Sequence, residues 1–441
     1  MKFYGRDEEI ALLRKMRDNS ADSAQFCVLT GRRRIGKTSL LRHALEDGRL
    51  KYVHLPITRQ PEKPLVRELQ REVERVLELE MLGTCENFAE LFDRMMKASR
   101  TRNFTLVLDE FQEFERINPA VFSQIAAIWD REHENSKLNL VVCGSINRLI
   151  NRIFLDDGEP LYGRNTALIR LKPFKTSLLK EILSSYKADY TNDDLLALWT
   201  VSGGVARYVD MMMREKAFDR DRMIDVIFSQ GSAYLEEGRT ILAEEFGPDY
   251  GTYFAILSMI ASGATTSAEM KNLLGVDING YLTKLERDYA LVTKKIPFGG
   301  KESSKTCHYQ IDDCFFRFWF RFVFKYRGLL ELDRYDQMRT LARRDFNAFA
   351  GYSLERYFHW KFVEESTYTK MEGWWDRKGE NEIDLVLEDE FANTLDFREV
   401  KLDASRYRRD ELQSKTAVFF AKNPELRSRR MSIGLLSVAE M

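Results

Sequence analysis

VLTGRRRIGKTSLLRHAL, residues 28–45, is the stretch whose reading decides the fold of the first part of this chain. Gly31, Gly36, Lys37 and Thr38 fall at the G-x-x-x-x-G-K-[ST] spacing of a phosphate-binding loop, with Arg34, Ile35 and Ser39 in the segment that would wrap the phosphates. Upstream, Phe26, Val28 and Leu29 make a short apolar strand; downstream, Leu40, Leu41, Ala44 and Leu45 recur at helical spacing. The loop therefore bridges a strand to a helix. In that setting backbone N–H groups close around the phosphates and the helix presents its positive N-terminus. Lys37 would reach the β- and γ-phosphates as a point charge, and Thr38 would offer its hydroxyl to Mg²⁺. ATP or GTP is the ligand to expect.

The second half of such a site is an acidic pair at the end of another buried strand. TLVLDEFQEF, residues 105–114, supplies Asp109 and Glu110. Asp109 would hold Mg²⁺ through water, and Glu110 would act as general base on the attacking water. The plainer alternative is a hydrophobic strand that ends in solvated acids. A third apolar strand, LNLVVCGS at residues 138–145, ends in Ser145, where related ATPases place a polar sensor of the γ-phosphate.

The 441 residues allow about three domains. Lysines and arginines (68) nearly balance aspartates and glutamates (69), so any nucleic-acid contact must come from local patches. Five cysteines lie far apart without a C-x-x-C pair, which argues against a disulfide framework or a zinc site and fits a reducing cytoplasm. The most apolar run, FFRFWFRFVF at residues 315–324, is short and interrupted by Arg317 and Arg321, so no membrane span is expected. Up to about Leu171 the chain reads as strands alternating with helices, the pattern of a parallel sheet covered on both faces. A helical stretch follows to about Arg239. Residues 250–313 read as three short helices and a hairpin, and a helix near 330–349 precedes a final α/β segment.

Several strings in order resemble the archaeal-type P-loop ATPases of the AAA/STAND group that carry a winged helix and a C-terminal nuclease-like domain. They are FYGRDEEIALL, GRRRIGKTSLL, LVLDEFQEF, NLVVCGS, PLYGRNT, SGGVARYV and YQIDDCFFRFWFRFV. The resemblance implies a multidomain α/β protein: a P-loop ATPase core at 1–171, a helical lid at 172–240, a winged helix at 246–326, and a linker helix with a PD-(D/E)XK nuclease-like domain at 327–441. It also implies that Tyr4, Gly5 and Arg6 begin a segment covering the adenine, favouring ATP. Arg164 and Arg207 would sense or stabilise phosphate charge, and the plain alternative is that both pair with surface acids. Related chains often carry proline where this lid motif has Ala206.

In the winged-helix segment, Phe254, Ile256, Leu257 and Ile260 make the apolar stripe of a first helix, and Thr266 and Ser267 would cap a second. The wing would be VTKKIPFGGKESSKTCHYQI, turned at Gly299 and Gly300, with Lys294, Lys295, Lys301 and Lys305 suited to phosphate contact. Winged helices also serve as protein docking modules and spacers.

At the C-terminal end, Glu355, Asp384, Glu399 and Lys401 together resemble the core of PD-(D/E)XK nucleases. Asp384 and Glu399 would share a Mg²⁺ at the ends of neighbouring strands, Glu355 on a preceding helix would complete the acidic cluster, and Lys401 would position or deprotonate water. Alternation in E-V-K puts Glu399 and Lys401 on one strand face with Val400 toward the core. E-x-K alone means little, since Glu269 to Lys271 repeats it inside an expected helix. Arginines 406, 408, 409, 427, 429 and 430 would track a phosphate backbone or form an ordinary charged surface.

Three expectations follow. The first is an ATP-hydrolysing protein that couples nucleotide state to DNA binding and Mg²⁺-dependent DNA cleavage. The second is an ATP-switched regulator whose winged helix binds DNA or a partner protein. The third is a scaffold that forms homo-oligomers with ATP bound and has no nuclease chemistry.

Overall fold

The computed structural model describes residues 2–144, 147–246, 250–301 and 307–441. The chain divides into two compact units, Lys2–Lys172 and Pro173–Met441. Among the described residues, no helix is long and apolar enough to cross a membrane.

The first unit is built on five parallel strands: β1 (Gln25–Thr30), β2 (Lys51–Pro56), β3 (Phe104–Asp109), β4 (Leu138–Gly144) and β5 (Ala167–Arg170), in the order β2-β3-β4-β1-β5. Every residue of β1 and β4 is buried, because helices cover both faces of the sheet; that is why these strands read as unbroken apolar runs. Thr30 pairs with Gly144 and Leu108 with Val142, so the C-terminal ends of β1, β3 and β4 share one edge. Ligands of open parallel sheets bind at that edge. The helix Lys37–Leu45 starts directly after the loop that leaves β1 and buries Leu40, Leu41, Ala44 and Leu45.

In the second unit, five helices from Thr176–Tyr186 to Ala233–Phe246 come first. Asn192–Ser202 opens on a capping box between Thr191 and Asp194 and stops at Gly203, whose φ of 56° suits a glycine. The helices Tyr250–Ala261, Ser267–Leu274 and Asn279–Thr283 follow, then an antiparallel hairpin of β6 (Val292–Lys295) and β7 (His308–Ile311). Phe254, Ile256, Leu257 and Ile260 are all buried, and the Thr266 hydroxyl accepts the Glu269 N–H at 3.3 Å.

One expectation needs correcting. The helix placed near 330–349 is a single helix Tyr335–Glu365 of 31 residues. Gly351 and Ser353, poor helix formers, lie inside it. The apolar stripe nevertheless continues through Leu354, Tyr357 and Phe358, and their burial outweighs two poor helix formers.

The C-terminal sheet comprises β8 (Lys370–Trp375), β9 (Glu382–Asp389), β10 (Thr394–Val400) and β11 (Arg430–Leu436), in the order β11-β10-β9-β8. β9 runs antiparallel to both β8 and β10; β11 is parallel to β10, and the helix Arg409–Lys422 lies in the crossover between them. Its core gathers Trp374, Ile383, Val386, Leu395, Phe397, Leu412 and Phe419, together with Phe298 from the stretch between the two hairpin strands. Phe298 is 4% exposed, its N–H donates to Gly373 O at 2.8 Å, and its ring centroid lies 5.7 Å from that of Phe419. At Gly299 (φ 76°) a Cβ would come 2.8 Å from Asn423 Oδ1. Phe298 thus packs the stretch that follows β6 onto the C-terminal sheet.

Phe298→Ala should cost the second unit about 3 kcal/mol, the range for emptying a buried phenylalanine site. Denaturant unfolding should show this as a lower midpoint, while nucleotide binding by the first unit stays unchanged.

Candidate functional sites

The loop after β1 owes its shape to backbone conformations that few residues tolerate. Gly31 has φ 153°, and a Cβ there would lie 2.7 Å from Leu171 O, in a backbone that is itself tied by Leu171 N–H to Thr30 O at 2.8 Å. Arg34 and Gly36 also take positive φ, 71° and 100°, turning the loop so that successive N–H groups can face one ligand. Ile35 is buried against this turn, while Arg34 and Ser39 are exposed. Lys37 is buried, and its ammonium donates to Gly31 O at 2.8 Å and Arg32 O at 3.3 Å. Burial pulls its pKa below the ordinary lysine value, with Glu110, Cys143 and Asp109 opposing.

The acids stand where β3 ends. Asp109 Oδ2 accepts from the Thr38 hydroxyl at 3.3 Å and lies 3.2 Å from His54 Nε2; Oδ1 accepts from Cys143 Sγ at 3.1 Å and from Glu110 N–H at 3.0 Å. Burial pushes this carboxyl up, but the bonds from His54 and Cys143 outweigh it and hold Asp109 below the usual carboxylate range. Burial and the Asp109 charge drive the Cys143 thiol well above its ordinary value, so it serves as a protonated donor. Glu110 adopts φ 54°, a strained conformation for a non-glycine residue, and its Oε2 accepts from Gln112 Nε2 at 2.6 Å. The Thr38 hydroxyl and Asp109 carboxylate are hard oxygen donors beside a phosphate cradle, a set that fits Mg²⁺ carried on a triphosphate. Sequence reasoning missed His54 and Cys143; the only signal was their position on strands that flank β3.

The sensor expectations fare differently. Ser145 lies outside the described residues. The Arg164 guanidinium makes a two-pronged pair with Asp130, at 2.9 and 2.7 Å, and bonds Pro160 O, the arrangement that the surface-pairing alternative describes. Arg6 is likewise a tie within its unit, donating to Lys172 O at 2.7 Å and facing Glu9 at 3.4 Å. Arg207 belongs to the second unit, where it borders a cavity of about 480 Å³ with Asp210, Arg214 and Arg222.

A second group of charges gathers on the C-terminal sheet. Antiparallel pairing matches Arg398 with Leu385, which sets Glu399 across from Asp384. Lys401 Nζ donates to Glu399 Oε2 at 2.7 Å and to Asp384 Oδ2 at 3.3 Å; Asp384 Oδ2 also accepts Val400 N–H at 2.7 Å. Lys415, on the helix Arg409–Lys422, reaches Glu399 Oε1 at 2.7 Å, a partner the sequence gave no motif to find. Burial pushes Glu399 up, but the two lysines overcome this and hold it low, whereas burial and the Glu399 charge push Asp384 up. Glu355, on the long helix, is raised to about 8 by burial and by the charges of Asp384 and Glu382.

The three-carboxylate metal cluster is thus corrected. Among the described residues no three His, Cys, Asp or Glu side chains form a metal cage, because a lysine ammonium lies between Asp384 and Glu399 and Glu355 shares no bond with either. Asp384 and Glu399 are hard oxygen donors of the kind a divalent cation takes, here engaged by Lys401 and Lys415. The wing charges also need revising. Lys295 is half-buried, and burial and the neighbouring Arg356 charge pull its pKa below the ordinary lysine value, with Asp312 opposing; Lys305 lies outside the described residues. Several late arginines are committed locally: Arg429 pairs with Glu388 at 2.7 Å, and Arg430 and Arg427 bond Ala392 O and Phe420 O.

Residues 3–212 match a family described as an ATPase domain predominantly from Archaea. The chain carries that archaeal-type ATPase domain. Residues 319–413 match a second family, described as archaeal and bacterial proteins of unknown function. An uncharacterized protein of Methanocaldococcus jannaschii, MJECL04, is 28% identical over 409 residues, covering 90% of this chain and 87% of its own length. Among solved structures, the Walker-type ATPase paby2304 of Pyrococcus abyssi shares the fold at TM-score 0.52 and 20% identity, covering 72% of this chain and 96% of that one. The ORC2 protein of Aeropyrum pernix, solved with ADPNP and ADP, aligns at TM-score 0.49 and 13% identity, over 78% of this chain and 96% of that one.

In the ATPase domain, Lys37→Ala should abolish tight Mg·ATP binding, and Glu110→Gln should keep ATP bound while slowing hydrolysis about a hundredfold, as for loss of a general base. Equilibrium nucleotide binding and single-turnover hydrolysis check both. A third expectation concerns Glu355. Its carboxyl is raised from about 4.5 to about 8 in the folded state, so the folded chain binds the proton more tightly and stability falls as pH rises through that window. Glu355→Gln should therefore gain thermal stability over the parent as pH climbs from 5 to 9, and melt with it near pH 4.

Proposed function

We propose that this chain is an ATP-hydrolysing protein whose nucleotide state governs Mg²⁺-dependent cleavage of DNA at the C-terminal carboxylate site. ATP binding and hydrolysis rest on the ATPase domain, with Gly31, Arg34, Ile35, Gly36, Lys37, Thr38 and Ser39 around the phosphates, Asp109 on Mg²⁺ and Glu110 as base. The reading divides the chain into a core at 1–171, a lid at 172–240 with Arg207 as its sensor arginine, a winged helix at 246–326 and a nuclease-like domain at 327–441. Reduced, well-separated cysteines suit a cytoplasmic protein.

One observation carries the cleavage reading: Asp384, Glu399 and Lys401 converge from adjacent strands within 3.3 Å of one ammonium. Asp384 and Glu399 would hold the divalent ion, which supplies Lewis-acid stabilisation of the phosphoryl oxygens. Lys401 would orient the attacking water. Glu355, protonated near neutral pH, would be available to donate a hydrogen bond beside them.

A second reading has its own support. Glu399 is doubly engaged by Lys401 and Lys415, and such a closed network also suits a domain that grips a substrate or partner without cutting it. The chain would then be an ATP-switched regulator or an oligomerising scaffold.

Asp384→Ala and Lys401→Ala should each eliminate cleavage of plasmid or single-stranded DNA and leave ATP hydrolysis largely intact. Lys401→Ala should retain metal and Asp384→Ala should lose much of it, as read by Mn²⁺ binding. A parent protein that never cuts DNA under any nucleotide or metal condition would transfer the assignment to the regulator.

A further inference from the structure

The long helix presents a second chemistry on the side of the second unit that carries Glu355. Arg317 stacks its guanidinium on the Tyr352 ring, 3.5 Å from the centroid, and lies 4.8 Å from the centroid of Phe349. Among the described residues it has no ion pair, and its buried Nη1 meets no acceptor. Arg356 is 6% exposed; it pairs with Asp312 at 3.2 Å, yet its Nε also meets no acceptor. Lys295, at the end of β6, is half-buried, lies in the field of Arg356 and forms no ion pair among the described residues. The three cations are grouped around Glu355, whose charge acts on each of them. Of the acids that face them, Asp312 pairs with Arg356, lies in the field of Lys295 and also accepts from the Thr293 hydroxyl and from Gln310 Nε2 at 3.0 Å, while Glu372 faces Lys295 and Glu355 faces all three without an ion pair to any among the described residues.

Burying charged donors without acceptors is costly, and folded proteins keep such groups where something else satisfies them. Aromatic stacking fixes the plane of Arg317 and leaves its N–H fork to be filled in that plane, the geometry that suits a tetrahedral oxyanion. The region adjoins the carboxylate site, because the charges of Arg317 and Lys401 both act on Glu355, which neighbours Arg356 and lies one turn from Tyr352.

We infer that Lys295, Arg317 and Arg356 form a docking site for a phosphate group beside the Asp384–Glu399–Lys401 centre. The phosphate comes either from a nucleic-acid strand running past that centre or from a free phosphate. As a neighbouring subsite for a flanking phosphate, it rests on the reading of that centre as one that acts on phosphodiesters. Lys295 then contributes from the inner side of the hairpin and not from an exposed wing, and the hairpin that pins the C-terminal sheet also completes this site.

The test uses the full chain in EDTA, where cleavage cannot interfere. Binding of a short labelled oligonucleotide, single-stranded and duplex, is measured across a salt series, and binding of inorganic phosphate by calorimetry. Lys295→Gln should weaken oligonucleotide binding about tenfold and lower the log–log salt slope by about one. Arg317→Lys, which keeps the charge and loses the fork, should weaken binding with less change in slope; unaltered melting and ATP binding confirm that both variants fold. Loss of phosphate binding with oligonucleotide binding unchanged would assign the site to free phosphate. If neither ligand's affinity changes in either variant, the docking site is overturned. Failure of the cleavage reading is separable: a parent that does not cut DNA but loses phosphate affinity in Lys295→Gln keeps this site. A parent that cuts DNA while both variants bind normally keeps only the nuclease.

Discussion

One helix constrains the whole second unit. Ten of the 31 residues of Tyr335–Glu365 are buried, and its later turns bond to different parts of the chain. Ser353 O accepts the Trp199 indole N–H at 2.9 Å, the Tyr352 hydroxyl donates to Ile311 O at 3.2 Å, and Lys361 donates to Glu440 O at 2.8 Å. Glu364 accepts the N–H and hydroxyl of Thr176 and those of Ser177, capping the first helix of the unit. A rod of about 46 Å at 1.5 Å per residue thereby sets the spacing of elements far apart in sequence. Its position determines where Glu355 and Arg356 stand relative to the sheet.

The ATPase domain was legible because its chemistry is local. A loop that must bring backbone N–H groups to phosphates needs glycines at fixed offsets, and a parallel sheet buried on both faces needs unbroken apolar strands. Both demands leave their mark within a few residues of Gly31 and Asp109. What supports Asp109 was not legible. His54 and Cys143 reach it from the neighbouring strands β2 and β4, and a contact across a sheet leaves no spacing in the chain.

The C-terminal site divides in the same way. Asp384, Glu399 and Lys401 could be named together from their resemblance to the PD-(D/E)XK pattern, and the strand period placed Glu399 and Lys401 on one face. Lys415 could not, since it arrives from a crossover helix. Arg164 and Lys295 show the converse case: a motif names a charged residue but not the acids that the fold brings beside it, Asp130 at 2.7 Å from Arg164 and Asp312 in the field of Lys295.

Phe298 gives the C-terminal core an ancestry problem as well as an anchor. A hydrophobic core completed by a residue from the upstream hairpin belongs to no contiguous segment, so losing the hairpin would leave an open socket in the sheet's core. A lineage that recombined this sheet onto another ATPase would have to bring the hairpin along or fill its socket anew. That coupling ties the evolution of two modules that otherwise look separable.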